Sequence, residues 1–260
     1  MAKIMIAGLP AAGKSTYIGA LAYTLKECKS NMIYKLVELP RDISQIRSLY
    51  SSWLRQSAVD RTTRGSVSDI TLRIQKDDRM IDLSLPDIAG EEFERMIQNQ
   101  NDILKTWNTE SDGLLFLIKD MPSEVLIESF ESNNSNSITQ QPTFEVTNIS
   151  IQVKNLLLIK ELNKKFNFKR IAIGLSAWDC KDEGFSPKDY LHKYFPVFHN
   201  YIDNFYPDAP IFGLSAQGAE YQKEKSEEIE EKTDNGTRAY IVKNQDKEYD
   251  LTIPIDYLIE

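Results

Sequence analysis

The segment with the most specific chemistry is Gly8-Leu9-Pro10-Ala11-Ala12-Gly13-Lys14-Ser15, which fits the pattern G-x-x-x-x-G-K-[ST]. In this pattern, backbone N–H groups surround phosphate oxygens, and the following helix directs its positive end at the same anion. Lys14 is expected to reach the β and γ phosphates of a nucleotide, and Ser15 is expected to ligate Mg²⁺. An apolar run precedes the segment and a helical pattern begins at Thr16, which is the context that a phosphate-binding loop requires.

The predicted phosphate contacts come from one continuous stretch of chain. Pro10 lies within it and has no N–H, so it removes one donor from the loop. A strand-turn-helix segment without a ligand is the alternative interpretation of the same pattern. The residues predicted to bind the nucleotide phosphates are Gly8, Ala11, Ala12, Gly13, Lys14, Ser15 and Thr16.

A second motif, Asp87-Ile88-Ala89-Gly90, lies at the end of a predicted strand and resembles the D-x-x-G of switch II in GTPases. An aspartate at this place can hold Mg²⁺ through water, and the glycine can turn its N–H towards a γ-phosphate. Glu91 stands where a Ras-like protein carries the glutamine that positions the attacking water. A glutamate can also orient water, but its negative charge beside the γ-phosphate predicts slow turnover without a partner.

The polar segment 59–65 is expected to supply a further Mg²⁺ ligand. A switch I threonine ligates the ion through its hydroxyl and contacts the γ-phosphate through its N–H, and we favour Thr62 over Thr63 for this role. The flanking Arg61 and Arg64 are candidates for an arginine finger in cis, which offsets transition-state charge and contributes roughly 10³ to 10⁵ in rate. Solvated loop arginines are the alternative.

Two further segments are candidates for reading the nucleotide base. Ser176-Ala177-Trp178-Asp179 and Ser215-Ala216-Gln217 each follow a predicted strand, where a GTPase carries Asn-Lys-x-Asp and Ser-Ala-Lys. The Asp179 carboxylate can accept hydrogen bonds from guanine N1 and N2, a pair of donors that adenine lacks. The Ala216 N–H is expected to meet guanine O6. The alternatives are a turn or helix N-terminal aspartate and a generic turn after a strand. The predicted base-binding residues are Trp178, Asp179, Ser215, Ala216 and Gln217.

The elements that must position these motifs alternate between strand and helix. Short continuous apolar runs predict parallel strands that are buried on both faces, and two runs that alternate apolar and polar residues predict an antiparallel hairpin. We therefore predict an α/β fold, with a doubly wound, mostly parallel sheet, one antiparallel edge hairpin strand and a ligand beyond the carboxyl ends of the strands. The predicted parallel strands are 3–7, 113–118, 170–175 and 210–214, the hairpin runs are 70–74 and 81–85, and the predicted helices include 16–29, 43–58 and 91–107.

The composition argues against several kinds of partner and site. A formal charge of −8 without a concentrated basic stripe argues against nucleic acid. No apolar run approaches the roughly 20 residues of a membrane span, and the N-terminus lacks a signal-peptide pattern. Cys28 and Cys180 offer no disulfide framework, and we expect both to be reduced in a cytoplasmic protein. His192 and His199 fall on one helix-like segment, where we expect surface or packing roles and no zinc site.

We predict a single domain over residues 1–260 with one insertion. Residues 121–147 are rich in Ser, Asn, Gln and Glu and poor in large apolar residues, which predicts a polar, flexible insertion. Residues 222–235 form a charged surface segment, and their Glu and Lys spacing also supports a solvated helix.

The ordered set of motifs covers nearly the whole chain and resembles the Ras-like, translation-factor-related class of P-loop GTPases. Within that class, the 8–16 loop, the Trp178-Asp179 pair and the closing segment 250–255 are similar to the double-GTPase families of bacterial conflict systems. The resemblance implies a Ras-like G domain that binds GTP or GDP with Mg²⁺, hydrolyses GTP and acts as a nucleotide-dependent switch. It also implies a protein effector or activating partner encoded nearby, in defence against phage or other invaders.

The chain departs from the family pattern at the guanine motif. Ser176 and Ala177 replace the Asn and Lys, so the lysine stem that normally covers the base is missing, and Trp178 is a candidate substitute. These replacements predict weaker guanine selectivity.

Two other functions stay open on the sequence alone. The pattern G-x-P-x-x-G-K-S-T is also common in small-molecule and nucleotide kinases and ATPases. Such kinases usually need a lid with arginines, and the insertion after Met121 contains none. A nucleotide-gated interaction module with little hydrolysis is the other alternative, in which a γ-phosphate orders 61–65 and 90–95 for a partner.

Overall fold

Eleven strands occur in the described part of the chain. The computed structural model describes residues 2–27, 32–38, 43–57, 67–98, 111–119, 123–126, 143–146, 148–181, 184–219 and 226–260, with the backbone alone at 67–69, 87, 123–126 and 143–146. The strands are β1 Ala2–Ala7, β2 Lys35–Glu38, β3 Val67–Lys76, β4 Arg79–Ile88, β5 Gly113–Ile118, β6 Ser123–Leu126, β7 Thr143–Val146, β8 Arg170–Ser176, β9 Ile211–Ser215, β10 Tyr240–Lys243 and β11 Asp246–Glu248.

Nine of these strands form one sheet, in the order β11-β10-β9-β8-β5-β1-β4-β3-β2. The five central strands, β4, β1, β5, β8 and β9, are parallel to one another. Every residue of β5 is buried, as expected for a parallel strand covered on both faces. The predicted α/β fold with a doubly wound, mostly parallel sheet is confirmed.

Antiparallel strands flank the parallel centre on both sides. The predicted hairpin is present as β3 and β4, whose register closes at Lys76 opposite Arg79, with Asp77 at a φ of +51° in the turn. β2 adds a further antiparallel strand beyond β3. The sequence analysis did not predict the second hairpin, β10 and β11, which pairs with β9. Its strands have four and three residues, too few to show a periodic pattern.

Helices cover both faces of the sheet, and β1 shows how the two faces are divided. Ile4 and Ile6 pack with residues of α1, α2 and α8, defined below, whereas Met5 and Ala7 pack with residues of α3 to α6. The helices are α1 Lys14–Glu27, α2 Ser44–Leu54, α3 Gly90–Ile97, α4 Ile149–Phe166, α5 Pro187–Tyr194, α6 Pro196–Phe205, α7 Glu227–Asp234 and α8 Ile253–Ile259, with a 3₁₀ turn at Trp178–Cys180.

Several boundaries differ from the sequence predictions. α1 begins at Lys14 instead of Thr16, and α2 ends at Leu54 because the chain turns at Gln56, where φ is +57°. His192 and His199 lie on two helices, α5 and α6, and not on one. Phe195 separates the two helices, and Pro196 begins the second, where a missing N–H has no cost.

The two polar segments contain secondary structure in their described parts. The insertion at 121–147 includes β6 and β7, which pair with each other in an antiparallel fashion. The charged segment at 222–235 includes α7, which buries Ile229 and Thr233. No helix within the described ranges combines the length and the apolar character needed to cross a membrane.

Candidate functional site

The phosphate loop connects β1 to α1 at the carboxyl end of the parallel strands. A Cβ on Gly8 would collide with the carbonyl oxygen of Leu117 in β5, so the loop passes directly over the neighbouring strand. Gly13 and Ala11 have φ values of +83° and +62°, left-handed conformations that turn the chain sharply. The strand, loop and helix that a phosphate-binding loop requires are therefore present.

Lys14 is buried at the mouth of this loop. Its Nζ donates to the Gly8 carbonyl at 2.9 Å and to the Leu9 carbonyl at 3.2 Å. The same ammonium lies 5.5 Å from the centre of the Phe93 ring in α3. The charge is thus held beside the loop that is predicted to bind phosphate.

The first turn of α1 carries Ser15 and Thr16, both half-buried. No acidic residue occupies this turn, so the positive end of the helix dipole is not neutralised by a carboxylate of its own. This arrangement favours an anion at the phosphate loop and leaves the Ser15 hydroxyl in place next to it.

The switch II motif contacts the phosphate loop through Gly90, the first residue of α3. A Cβ built on Gly90 would lie 2.6 Å from the Pro10 Cα and 2.7 Å from the Pro10 nitrogen. Only glycine permits this approach. Asp87 lies near the end of β4, opposite Ser68 of β3, and its side chain is outside the described atoms.

The next residues of α3 are acidic and differ in exposure. Glu91 is half-buried, whereas Glu92 is fully buried, and its Oε1 lies 3.7 Å from Nη1 of Arg95. Sequence reasoning gave a role to Glu91 and missed the burial of Glu92, because two adjacent glutamates cannot be assigned to helix faces until the start of the helix is known.

Ser176, which the sequence analysis noted only as a departure from Asn, joins the base motif to the phosphate loop. Its Oγ donates to the Ala12 carbonyl at 2.7 Å in a buried hydrogen bond. Ser176 ends β8, and its register partner in β9 is Leu214. The segments that carry Asp179 and Ala216 therefore leave two neighbouring strands at the same edge of the sheet.

Asp179 lies in the 3₁₀ turn after Ala177, which has a φ of +52°. Its Oδ1 is buried and has no hydrogen-bond partner among the described residues, and its Oδ2 lies 3.6 Å from the Cys180 sulfur. The carboxylate does not cap this turn. A buried acceptor without a donor is unusual in folded proteins and is suited to a ligand that brings one.

Trp178 is buried and packs into the protein. The indole lies so close to Gly213 of β9 that a Cβ there would be 2.7 Å from its Cγ, and it meets Tyr190 edge-on at 5.5 Å. This indole supports the base motif from the core side, and a contact with the base stays a prediction.

The Ser215-Ala216-Gln217 segment is anchored from outside its own strand. The indole N–H of Trp53 in α2 donates to the Ala216 carbonyl at 2.6 Å, and Nε of Arg238 donates to the Gln217 carbonyl at 2.9 Å. The Gly218 N–H donates to the Ser215 hydroxyl at 3.2 Å. Both amide atoms of the Gln217 side chain are buried without a described partner.

The remaining predicted site residues lie outside the described residues. These are Thr62 and Thr63 of the proposed switch I, together with Arg61 and Arg64. Within the described ranges, no group of three or more His, Cys, Asp or Glu residues is arranged to hold a metal ion.

Comparisons with known proteins found a matching family model and similar solved structures, of which one is described here. The family model Double-GTPase 1 matches residues 5–258. A solved structure, Methanosarcina barkeri Roco2 RocCORdC bound to GDP, has 11% sequence identity and a TM-score of 0.42, and the match covers 85% of this chain. The chain corresponds to 45% of the length of that structure. No curated protein matches the sequence significantly.

Proposed function

The chain belongs to the Double-GTPase 1 family, and on this premise we propose that it binds guanine nucleotides and hydrolyses GTP to GDP with Mg²⁺. The observation that carries the proposal is the buried Oδ1 of Asp179, which lacks a described partner. Leaving such an acceptor unpaired costs about 1 to 3 kcal/mol. Guanine carries the N1 and N2 donors that this carboxylate can accept, and adenine does not.

In this proposal the phosphate loop and the metal ligands act together. Lys14 and the loop N–H groups hold the β and γ phosphates, while Ser15 and Thr62 ligate Mg²⁺ and Asp87 holds it through water. Hydroxyl and carboxylate oxygens are the ligands that Mg²⁺ takes. Ser15 fits this role because it carries a hydroxyl oxygen and follows Lys14 directly, at the start of α1 beside the phosphate loop. Held by these residues, Mg²⁺ would supply positive charge that offsets the charge of the phosphates.

Hydrolysis proceeds by attack of water on the γ-phosphorus. The bond between that phosphorus and the β–γ bridging oxygen breaks, GDP leaves, and inorganic phosphate carries away the oxygen of the water. Glu91 orients the water, the Gly90 N–H contacts the γ-phosphate, and Arg61 offsets the developing charge. Because Glu91 is itself negative, turnover is slow without a partner.

The nucleotide state serves as a switch for a protein effector in the cytoplasm, within a bacterial conflict system. This proposal is supported by the close approach of Gly90 to Pro10. The approach places the first residue of α3 against the loop that is proposed to bind the γ-phosphate. Switches of this class order such segments through the γ-phosphate.

Binding is tested by thermal unfolding with Mg²⁺ and saturating GDP or ADP. A ligand at about 100 times its Kd adds roughly 2.7 kcal/mol of stability, which raises the midpoint of a chain this size by about 5 to 10 °C. We expect this rise with GDP and a much smaller rise with ADP. An equal or larger rise with ADP would replace the proposal with a P-loop kinase or ATPase.

Hydrolysis needs a separate measurement, since tight binding without turnover describes an interaction module. We expect slow phosphate release from GTP. Arg61→Ala should lower the rate of release, and Arg64→Ala should leave this rate unchanged. Equal rates in the wild type and both variants would remove the arginine from the mechanism, and no release under any condition would leave binding as the only function.

A further inference from the structure

The outer sides of α4 and α6 carry most of the exposed large apolar side chains in the described part of the chain. Of nine such side chains within the described ranges, five lie on these two helices, and the other four lie in or beside β2, α2, β4 and β11. Single exposed apolar residues are common in soluble proteins, but a group on neighbouring elements indicates an interaction surface. The five are Ile149, Val153 and Leu157 of α4, with Val197 and Phe205 of α6.

α4 and α6 run side by side in the same direction. Gln152, near the start of α4, accepts from the N–H of Val197 at 3.0 Å and from that of Phe198 at 3.4 Å, both at the start of α6. The two helices pack against each other and lead into β8 and β9, which are parallel neighbours. The five exposed apolar side chains therefore belong to one two-helix surface, here called the α4/α6 surface.

Along α4, the apolar part of this surface is followed by a basic part. Ile149, Val153 and Leu157 are spaced by four residues, and Lys160 and Lys164 continue the same helix face at spacings of three and four. Both lysines are exposed and form no ion pair with a described residue. The whole face is about 22 Å long, at 1.5 Å per residue.

An aromatic side chain extends the apolar part at the far end of α6. Phe205 is 65% exposed, and its ring lies against that of Tyr201, with ring centres 4.6 Å apart. Tyr201 is half-buried and packs against the buried cluster that includes Phe198 and Ile202. Exposure of a large apolar ring to water is unfavourable, and an apolar side chain docked against Phe205 would remove part of that exposed area.

The charges of the α4/α6 surface disfavour a second copy of the chain as its occupant. An isologous contact brings the same patch of both copies together. If the two α4 helices ran parallel, Lys160 and Lys164 would meet their own counterparts. If they ran antiparallel, the lysines would meet the start of the other α4, where the helix dipole is positive and the first turn holds no acidic residue. Either arrangement opposes like charges.

An anionic membrane is disfavoured by the charge of the whole chain. The formal charge is −8, so the protein as a whole is repelled by anionic lipids. Recognition of such lipids uses clusters of about four to eight basic residues, whereas this face of α4 offers Lys160 and Lys164. An apolar stripe that ends in a few lysines is better matched by a protein with acidic residues.

We propose that the α4/α6 surface docks an amphipathic helix of a partner protein, which is apolar along one half of its contact face and acidic along the other. The apolar half packs on Val153, Leu157 and Val197, and the acidic half pairs with Lys160 and Lys164. A helix of about four turns matches the length of the face, and its apolar anchors recur at spacings of three and four residues. The inference is independent of the guanine-nucleotide proposal, since none of these residues belongs to the candidate site.

The charge preference is tested by fluorescence anisotropy with two labelled helical peptides of about 18 residues. Both peptides carry the same stripe of leucines, and they differ only at two positions at one end of that stripe, which are glutamates in the first and lysines in the second. We expect the acidic peptide to bind the wild type about tenfold more tightly, because two ion pairs replace two repulsions. Equal affinities, or no binding of the acidic peptide, would overturn the proposal.

Two variants locate the binding on α4. Leu157→Asp places a charge in the apolar part and should weaken binding of the acidic peptide about tenfold. The double variant Lys160→Glu with Lys164→Glu should reverse the order of the two peptides, and it carries the test if Leu157→Asp does not fold. Met80→Asp, at an exposed apolar position on β4, is the matched control and should change neither affinity. Unchanged binding in both α4 variants would mean that the peptides bind elsewhere.

Two further measurements separate this occupant from the others. In sedimentation velocity, Leu157→Asp should leave the oligomeric state as it is in the wild type, and a wild-type dimer that this variant dissociates would replace the proposal with self-association. Vesicles of phosphatidylcholine and phosphatidylserine should not co-sediment with the wild type. Vesicle binding that Leu157→Asp abolishes would replace the proposal with membrane contact.

Discussion

Ser176 and Asp179 perform different tasks at the end of β8. The Ser176 hydroxyl is already committed to the Ala12 carbonyl at 2.7 Å, whereas Oδ1 of Asp179 has no described donor. Ser176 joins the end of β8 to the phosphate loop, and Asp179 keeps an acceptor for which we propose a donor from the ligand.

The Asp179→Asn variant should change the preferred base from guanine to xanthine. An amide in place of the carboxylate presents a donor towards guanine N2 and removes the charge, so we expect GDP affinity to fall roughly a hundredfold. Xanthosine diphosphate carries a carbonyl where guanine has its N2 amino group, so it should gain affinity in the variant. Calorimetric titration of both nucleotides measures the exchange.

Asp189→Asn serves as the control for this substitution. Asp189 is an exposed acid in the first turn of α5, bonded to the Ser186 hydroxyl, and it lies outside the predicted base-binding set. Its change should leave both affinities as they are. A GDP affinity that survives in Asp179→Asn would show that Asp179 does not read the base.

Within the candidate site, the strand, loop and helix around Lys14 were predictable from the sequence, because the spacing of this pattern is local. The order Gly8, Gly13, Lys14 and Ser15 is a fixed pattern because one turn of backbone must surround one phosphate group. Trp53 was not predictable, since its partner lies 163 positions away and only the folded sheet brings α2 beside β9. Its helical spacing indicated only a buried face.

At the scale of elements, α5 and α6 form a corner that buries a titratable side chain. His199 of α6 is 6% exposed and its ring centre lies 4.9 Å from that of His192 in α5. Gln152 of α4 accepts from the Val197 N–H at 3.0 Å and so satisfies the start of α6. The corner is closed by packing from three helices.

Because His199 is buried in this corner, we expect the free energy of unfolding to decrease at acidic pH. Burial lowers the pKa of His199, a change that the Asp203 carboxylate opposes and that His192 and Lys188 reinforce. Since the unfolded imidazole, with a pKa of about 6.5, binds a proton more readily than the folded one, the free energy of unfolding decreases as the pH drops below that value. The slope from this group is at most about 1.4 kcal/mol per pH unit.

Urea unfolding between pH 7.5 and 5.5 measures this slope in the wild type and in His199→Gln. The variant should lose the part of the slope that histidine contributes, while its stability at pH 7.5 reports the cost of repacking alone. Identical slopes in both proteins would mean that His199 titrates at the same pH in the folded and unfolded chains.

The sequence predicted the central strands of the sheet but not its edges. β5 is a continuous apolar run that is buried throughout, so its pattern is unmistakable. β2 and β11 are exposed along most of their length and have only four and three residues. β2 and β11 are strands because their backbones pair with an adjacent strand, and not because of their side-chain pattern. Which strands are adjacent is decided by the fold as a whole.

At the scale of the whole molecule, the segment after β11 forms hydrogen bonds with residues that lie more than 200 positions earlier in the sequence. The Tyr17 hydroxyl of α1 donates to the Leu251 carbonyl at 2.8 Å, and burial raises the pKa of this tyrosine, which keeps the donor protonated. Asp250 accepts from the Ile33 N–H at 2.7 Å and from the Thr252 N–H at 2.8 Å. α8 then packs beneath β1, β5 and β8.

The Asp250→Ala variant is expected to lose about 2 kcal/mol of unfolding free energy, because two backbone N–H groups lose their charged acceptor. The midpoint of thermal unfolding should fall by about 4 to 8 °C. Asp246→Ala, at an exposed position in β11, is the control and should shift the midpoint little. Equal midpoints for the two variants would mean that water replaces the Asp250 contacts without cost.

The tie between α1 and the segment at 250–258 also has a consequence for biosynthesis. Ribosomes make the phosphate loop long before Leu251, Ile255 and Leu258, yet these three residues belong to the same buried cluster as Ile4 and Leu21. While these three residues are still inside the ribosome, the buried cluster that supports the phosphate loop is incomplete. We therefore expect nucleotide to stabilise this protein only after residue 258 has left the ribosome, which stalled chains of increasing length would reveal.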